Sequence, residues 1–131
     1  MKALYSGARI FDGMGATLEN HAVLIENERI QRIGPEKEFS GFDGNKIDIR
    51  GRTLLPGLID CHVHLVYCAE ADPGTKVTKL HPGQIVMRAL ANAQKSLSGG
   101  TTSLRDLGGR DFLEFAVRDA CNSGEQLGPT I

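Results

Sequence analysis

Apolar and polar positions alternate in short runs from Ala3 to about Ile49. Val23 and Ile25 alternate ahead of Asn27-Glu28, and Ile30 and Ile33 precede Gly34-Pro35, which is the pattern of two strands closed by a tight turn. Asn tolerates the positive φ that such a turn requires, whereas Glu28 is a poorer choice than Gly at the second position. Asp12-Gly13-Met14-Gly15 and Gly41-Phe42-Asp43-Gly44 supply two further turns, and Ile47-Asp48-Ile49 another alternating strand. This part of the chain is predicted to be all-β.

The pattern changes at Arg52-Thr53-Leu54-Leu55-Pro56-Gly57-Leu58-Ile59, where Pro and Gly interrupt the alternation and a more continuous apolar run begins. Such a run predicts a strand over residues 58–66 buried on both faces, as in a parallel sheet. The change marks a boundary between two parts, residues 1–55 and 56–131. Over residues 84–98, Ile85, Val86, Ala89, Leu90, Ala93 and Leu97 fall on one helical face that stops at Gly99-Gly100. Residues 101–105 then read as a short β-branched strand, and residues 111–123 as a second helix with Phe112, Phe115, Ala116 and Ala120 inward and Gly124 past its end. Gly128-Pro129-Thr130-Ile131 begins another extended run. Strand, helix, strand, helix, strand is the order of parallel βα units with right-handed crossovers. A closed (β/α) barrel takes about 250 residues, of which roughly 75 are in hand here. The chain is therefore expected to be the N-terminal part of a longer protein.

Composition narrows the classes of partner. At 131 residues, 40% hydrophobic and 24% charged, there is apolar material for one modest core, and the formal net charge of −1 gives no field suited to a phosphate backbone or an anionic membrane. Neither nucleic acid nor membrane is expected as a partner. The first residues hold no apolar run of signal-peptide length and no stretch is long enough to span a bilayer, so a soluble, cytoplasmic protein is expected. Cys61, Cys68 and Cys121 are odd in number and lack CxxC spacing, which fits a reducing compartment.

The chemistry is concentrated in Asp60-Cys61-His62-Val63-His64. Side chains alternate along a strand, so His62 and His64 share a face with Asp60, while Cys61, Val63 and Leu65 share the other. Imidazoles two residues apart on a strand, about 6–7 Å along it, can lean to one ion and reach it at about 2.0–2.1 Å. The pair lies near the end of its strand, where parallel barrels carry their sites. Two ligands leave positions open for a water whose pKa a metal lowers towards about 7. Two plainer readings compete: polar residues at a strand end with Asp60 as a turn acceptor, and a structural zinc knuckle of Cys61, His62, His64 and Cys68, against which the outward parity of Cys61 argues. His21 and His81 have no spaced partner and read as surface residues. Arg105 and Asp106 end the second strand, where a salt bridge or turn competes with a place in the site; Gly108-Gly109 would let a ligand approach the backbone but reads first as a tight turn before the helix, and Tyr67 reads as a residue that could face substrate. Gly13-Met14-Gly15 is no dinucleotide loop, since Leu18 stands at the third glycine position, and HExxH, GxSxG and GK[ST] motifs are absent.

With those residues laid out, Leu55-Pro56-Gly57-Leu58-Ile59-Asp60-Cys61-His62-Val63-His64-Leu65 closely resembles the first barrel strand of the amidohydrolase superfamily. Gly99-Gly100-Thr101-Thr102-Ser103-Leu104-Arg105-Asp106-Leu107-Gly108-Gly109 is similar to the second-strand segment of its imidazolonepropionase-related branch, which includes Xaa-Pro dipeptidase-like and arginine carboxypeptidase-like enzymes. The strand-rich start resembles the family's small β-sandwich. The fold the resemblance implies is α/β: the N-terminal part of a (β/α)8 TIM-type barrel, incomplete in this chain, preceded by a small β-sandwich segment. By position, His62 and His64 correspond to the two metal-binding histidines of the first strand, and Asp60 to the acidic residue beside them that supports the ligands. The family's remaining parts are expected beyond residue 131: a carboxylated lysine or carboxylate bridging two metals, later histidines, and an aspartate that binds metal and acts as general base. Lys76 and Lys79 follow the first strand and are not the bridge.

The resemblance implies a divalent metal, zinc being the expected ion, with two ions in the complete enzyme. It further implies metal-activated hydroxide attacking a carbonyl while the aspartate passes a proton to the leaving nitrogen. The bond would be the amide or peptide bond of a dipeptide or N-acyl amino acid, and the chain alone is expected to be inactive; Tyr67 and Arg105, candidates by position and not by the resemblance, are the side chains expected to bind substrate. A hydrolase of a cyclic amide or imidazolone and a non-catalytic interaction module remain alternatives. Association as a homo-oligomer, or with the remainder of its own chain, is left open.

Overall fold

The structure, a computed structural model, describes residues 2–131. The chain divides between Pro56 and Gly57 into two compact units. The N-terminal unit holds strands β1 (Lys2–Ser6), β2 (Arg9–Phe11), β3 (Thr17–Leu18), β4 (His21–Glu26), β5 (Arg29–Pro35), β6 (Asn45–Asp48) and β7 (Thr53–Leu54). They form a four-stranded sheet of order β5-β4-β1-β6 and a three-stranded sheet of order β3-β2-β7.

The alternation read from the sequence is the hairpin β4–β5, in which Val23 pairs with Ile33 and Ile25 with Ile30. Its turn puts Asn27 at φ 50° and Glu28 at φ 66°, both in the left-handed region that a two-residue hairpin turn of matching twist demands. β1 runs antiparallel to β4 and parallel to β6, and β2 runs antiparallel to β3 and parallel to β7. The two parallel pairings join segments distant in sequence, which is why local alternation could not announce them. Leu4, Ala22 and Phe39 form the core of the larger sheet, with Leu24 and Phe42 packed against them. Gly7, between β1 and β2, adopts φ 85°, and a Cβ there would stand 2.7 Å from the Asp48 carboxylate, so position and conformation both require glycine.

The C-terminal unit holds β8 (Leu58–Val63) and β9 (Thr101–Asp106), paired in parallel through Leu58 and Thr101, Asp60 and Leu104, and Val63 and Asp106. Helix α1 (Pro73–Thr78) and the longer α2 (Pro82–Ser98) connect them, and α3 (Glu114–Asn122) follows β9. Thr130 then bridges in parallel to Ser103, with Leu104 N donating to Thr130 O and Thr130 N to Thr102 O. This is the βαβαβ order. Leu65, Val66, Val77, Ile85, Ala89, Ala93, Leu104 and Val117 make one core. Among the described residues no helix is long and apolar enough to cross a membrane.

Two expectations are corrected. The run at β8 is not buried on both faces: Leu58 is 51% and Ile59 69% exposed, and full burial begins only past the strand at Leu65 and Val66. Among the described residues β9 is its sole paired neighbour, which leaves a two-sided apolar strand half covered. The second helix also buries a different face from the expected one. It begins at Glu114 rather than residue 111, after a 3-10 turn (Arg110–Phe112) in which Asp111 and Phe112 take φ of 58° and 55°. Glu114 and Val117 face inward, while Phe112 is 68% and Phe115 45% exposed, with the Arg118 guanidinium 4.3 Å above the Phe115 ring. The short α1, capped by the Asp72 carboxylate accepting from Thr75 N, was not foreseen.

Candidate functional site

β8 delivers its chemistry at its C-terminal end. His62 lies exposed on the strand and His64 half-buried one residue beyond it, with ring centroids 5.6 Å apart and planes at 70°. The pairing with β9 shifts register between Asp60 and Val63, so the strand is irregular where the pair sits. His64 Nδ1 is 2.6 Å from Gly108 O. A carbonyl can only accept, so Nδ1 carries the proton and Nε2 is left with its lone pair free for a ligand.

The support of this arrangement comes from the loop after β9. Asp106 Oδ1 accepts from Gly108 N at 2.8 Å and its Oδ2 from Leu65 N at 3.1 Å, while Leu107 N donates to Val63 O at 2.9 Å. Asp106 thus ties the end of β9 to the end of β8 and places the Gly108 carbonyl beneath His64. Gly109 packs on Val66, where a Cβ would stand 2.6 Å from a valine methyl, so the loop passes closely because no side chain is there. Of the readings weighed for these residues, the turn is the one the hydrogen bonds show. Gly108 was missed as a partner because its contribution is a backbone oxygen, for which its side chain gives no signal.

The other candidates fall in various places. Asp60 Oδ1 accepts from His62 N at 3.0 Å, pinning the backbone of the first histidine. The Tyr67 ring lies 5.5 Å from the His64 ring, tilted by 50°. Arg105 lines a cavity of about 210 Å³ with Asp106, Glu114, Phe115 and Arg118, and neither histidine is in its wall. Cys61 and Cys68 are free thiols, and among the described residues no group of three or more His, Cys, Asp or Glu side chains is placed to hold a metal. Cys61, His62, His64 and Cys68 are thus not gathered into a knuckle.

His21 Nδ1 reaches Glu19 O at 2.7 Å, and His81 caps α2, its Nδ1 accepting from Gly83 N at 3.2 Å while Gln84 Oε1 accepts from His81 N. Lys76 is engaged by Glu70 at 2.5 Å, and that hydrogen bond lowers the Glu70 carboxyl below its ordinary range. Arg110, which no sequence motif marks, donates from Nη1 to Val77 O, Thr78 O and Leu80 O, holding the end of α1 to the loop after β9. Asn92 is marked by no motif either, although a polar residue next to Ala93 on an otherwise apolar helix face is a usable signal.

A divalent metal fits the donors that are present. Two neighbouring imidazoles, one with its tautomer fixed by a carbonyl, are the ligand type zinc and similar ions take. They are two ligands only, and further ones are needed to complete a site.

No family model matches the chain. It is similar to the imidazolonepropionase of Klebsiella pneumoniae (strain 342), 48% identical over 50 residues, which is 38% of this chain and 12% of that protein. With the imidazolonepropionase of Cereibacter sphaeroides (strain KD131 / KCTC 12085) it shares 32% identity over 93 residues, 71% of this chain and 21% of that protein. The solved structure of a Xaa-Pro dipeptidase with bound methionine in the active site superimposes with a TM-score of 0.85 at 28% identity, covering 100% of this chain and 32% of that one. The chain spans less than a third of the length of each of these relatives.

Proposed function

Because the chain belongs to the amidohydrolase superfamily, we propose that it is part of a metal-dependent hydrolase of a C–N bond, the amide or peptide bond of a dipeptide or N-acyl amino acid. The observation that carries this reading is His64 with Nδ1 committed to Gly108 O, beside His62, at the C-terminal end of a parallel strand. In this reading the sheets up to Pro56 are part of a small β-sandwich, and Gly57–Ile131 holds the first two βα units and the start of the third strand of a (β/α)8 barrel. Three free cysteines fit a reducing compartment, in keeping with a cytoplasmic protein.

His62 and His64 would hold the metal, zinc by ligand chemistry, with a second ion in the complete enzyme. Such an ion, when bound, polarises a carbonyl and brings the pKa of water to about 7. What the chain itself does is orient. The Gly108 carbonyl fixes the His64 tautomer, Asp60 fixes the His62 backbone, and Asp106 holds the two strand ends together. Tyr67, against His64, is the side chain proposed to meet substrate, whereas Arg105 lines a cavity apart from the histidines. The general base is an aspartate on a later strand.

The imidazolonepropionase relatives favour a second reading, hydrolysis of a cyclic amide or imidazolone by the same half-site. The two are separated by assaying the metal-replete protein, with the further barrel strands this reading requires, on Xaa-Pro dipeptides, N-acyl amino acids and an imidazolone. Turnover of the linear amides is expected, and turnover of the cyclic compound alone would transfer the assignment to the second reading. No turnover of either class would leave a non-catalytic module. Turnover by the 131-residue chain alone would contradict the need for further ligands.

A further inference from the structure

The exit of β8 is also held from the helix side. Asn92 sits on α2, half-buried, next to Ala93 and one turn from Ala89, both fully buried in the core. Its Nδ2 donates to Leu65 O at 2.8 Å and to Tyr67 O at 2.8 Å. A carboxamide nitrogen has two N–H groups, so both are spent on this one turn. The turn runs directly on from His64, with Tyr67 N donating to His64 O at 3.1 Å, and it belongs to no strand or helix that would otherwise engage those two carbonyls. Its outcome is a specific contact, the Tyr67 ring tilted against the His64 ring at 5.5 Å. Asn in a helix interior is less favourable than Ala or Leu, because its side chain competes for backbone groups. Here the competition is directed outward, to the backbone that carries the candidate ligand.

We propose that Asn92 is a positioning residue, whose amide fixes the turn from His64 to Tyr67 so that the Tyr67 ring stays against His64 and the imidazole keeps the orientation that reaches Gly108 O. The functional weight of this rests on reading His64 as a metal ligand; the geometry it asserts does not. A merely structural Asn92 would support the burial of Leu65 and Val66 without setting the relation of the two rings.

The test is NMR of the full chain, following the proton contacts between the His64 and Tyr67 rings, together with titration by Co²⁺. Asn92→Ala removes both donors, and Asn92→Asp keeps the shape but sets a carboxylate oxygen against two carbonyl oxygens. Ala91→Gly, at an exposed position of α2, weakens the helix without touching the turn. Loss of the ring contacts and a fall in Co²⁺ affinity of about tenfold are expected in both Asn92 variants, since groups that orient a ligand carry effects of that order. Ala91→Gly is expected to retain both. Wild-type ring contacts or wild-type affinity in Asn92→Ala overturns the proposal, and so does an equal loss in Ala91→Gly, which would reduce the effect to helix stability. If Asn92→Ala does not fold, Asn92→Ser, with a single donor, is read by the same criteria. Two histidines without further ligands need not hold Co²⁺; where the wild-type chain binds none, the ring contacts decide the role of Asn92.

Discussion

His64 depends on a peptide carbonyl 44 residues away. The imidazole is fixed by Gly108 O, Gly108 by Asp106, and the path of the loop by the bare Cα of Gly109 against Val66. Gly109→Ala would set a methyl 2.6 Å from a fully buried valine and 3.1 Å from the Glu114 carboxylate. The expected result is a loss of about 1–3 kcal/mol, the usual cost of overpacking, seen as a lower urea midpoint and accompanied by weaker metal binding as Gly108 O moves away from His64. Unchanged stability would mean that the loop is free to shift. At this scale the ligand pair was legible because strand parity follows directly from residue spacing. Gly108 and Asn92 were not, since one acts through its backbone and the other through partners brought near only by the crossover of α2.

Elements were legible where their signals were local. The β4–β5 hairpin and the body of α2 follow alternation and helical periodicity within their own segments. The inward face of α3 departs from the apolar pattern because Glu114 and Val117 take the buried positions, while the exposed Phe115 packs beneath the Arg118 guanidinium instead. α2 starts at Pro82 behind a reciprocal cap in which His81 accepts from Gly83 N and Gln84 accepts from His81 N. Removing that acceptor by His81→Ala is expected to cost about 1 kcal/mol, and His81→Ser to restore most of it. Thermal unfolding of the three proteins checks this, and equal stability of His81→Ala and the wild type would deny the cap any weight.

For the whole molecule, the βαβαβ order was readable from the succession of patterns, whereas burial was not, because it depends on what lies beside each strand. β8 exposes Leu58 and Ile59 although it pairs with β9 along its length. An apolar strand with an open side is a template for association. The 131-residue chain alone is expected to self-associate with rising concentration, and Ile59→Lys to suppress this in sedimentation velocity; monomeric behaviour of the unsubstituted chain at all concentrations would contradict it. Covering that side is what the further strands of a barrel would do, and the relatives, each more than three times the length spanned by this chain, have the sequence to do so. The proposed metal site begins with the two histidines. Zinc content measured after saturation and dialysis of the protein carrying those further strands should be retained in the wild type and lost in both His62→Ala and His64→Ala; full retention in either variant would contradict the assignment of that residue as a ligand.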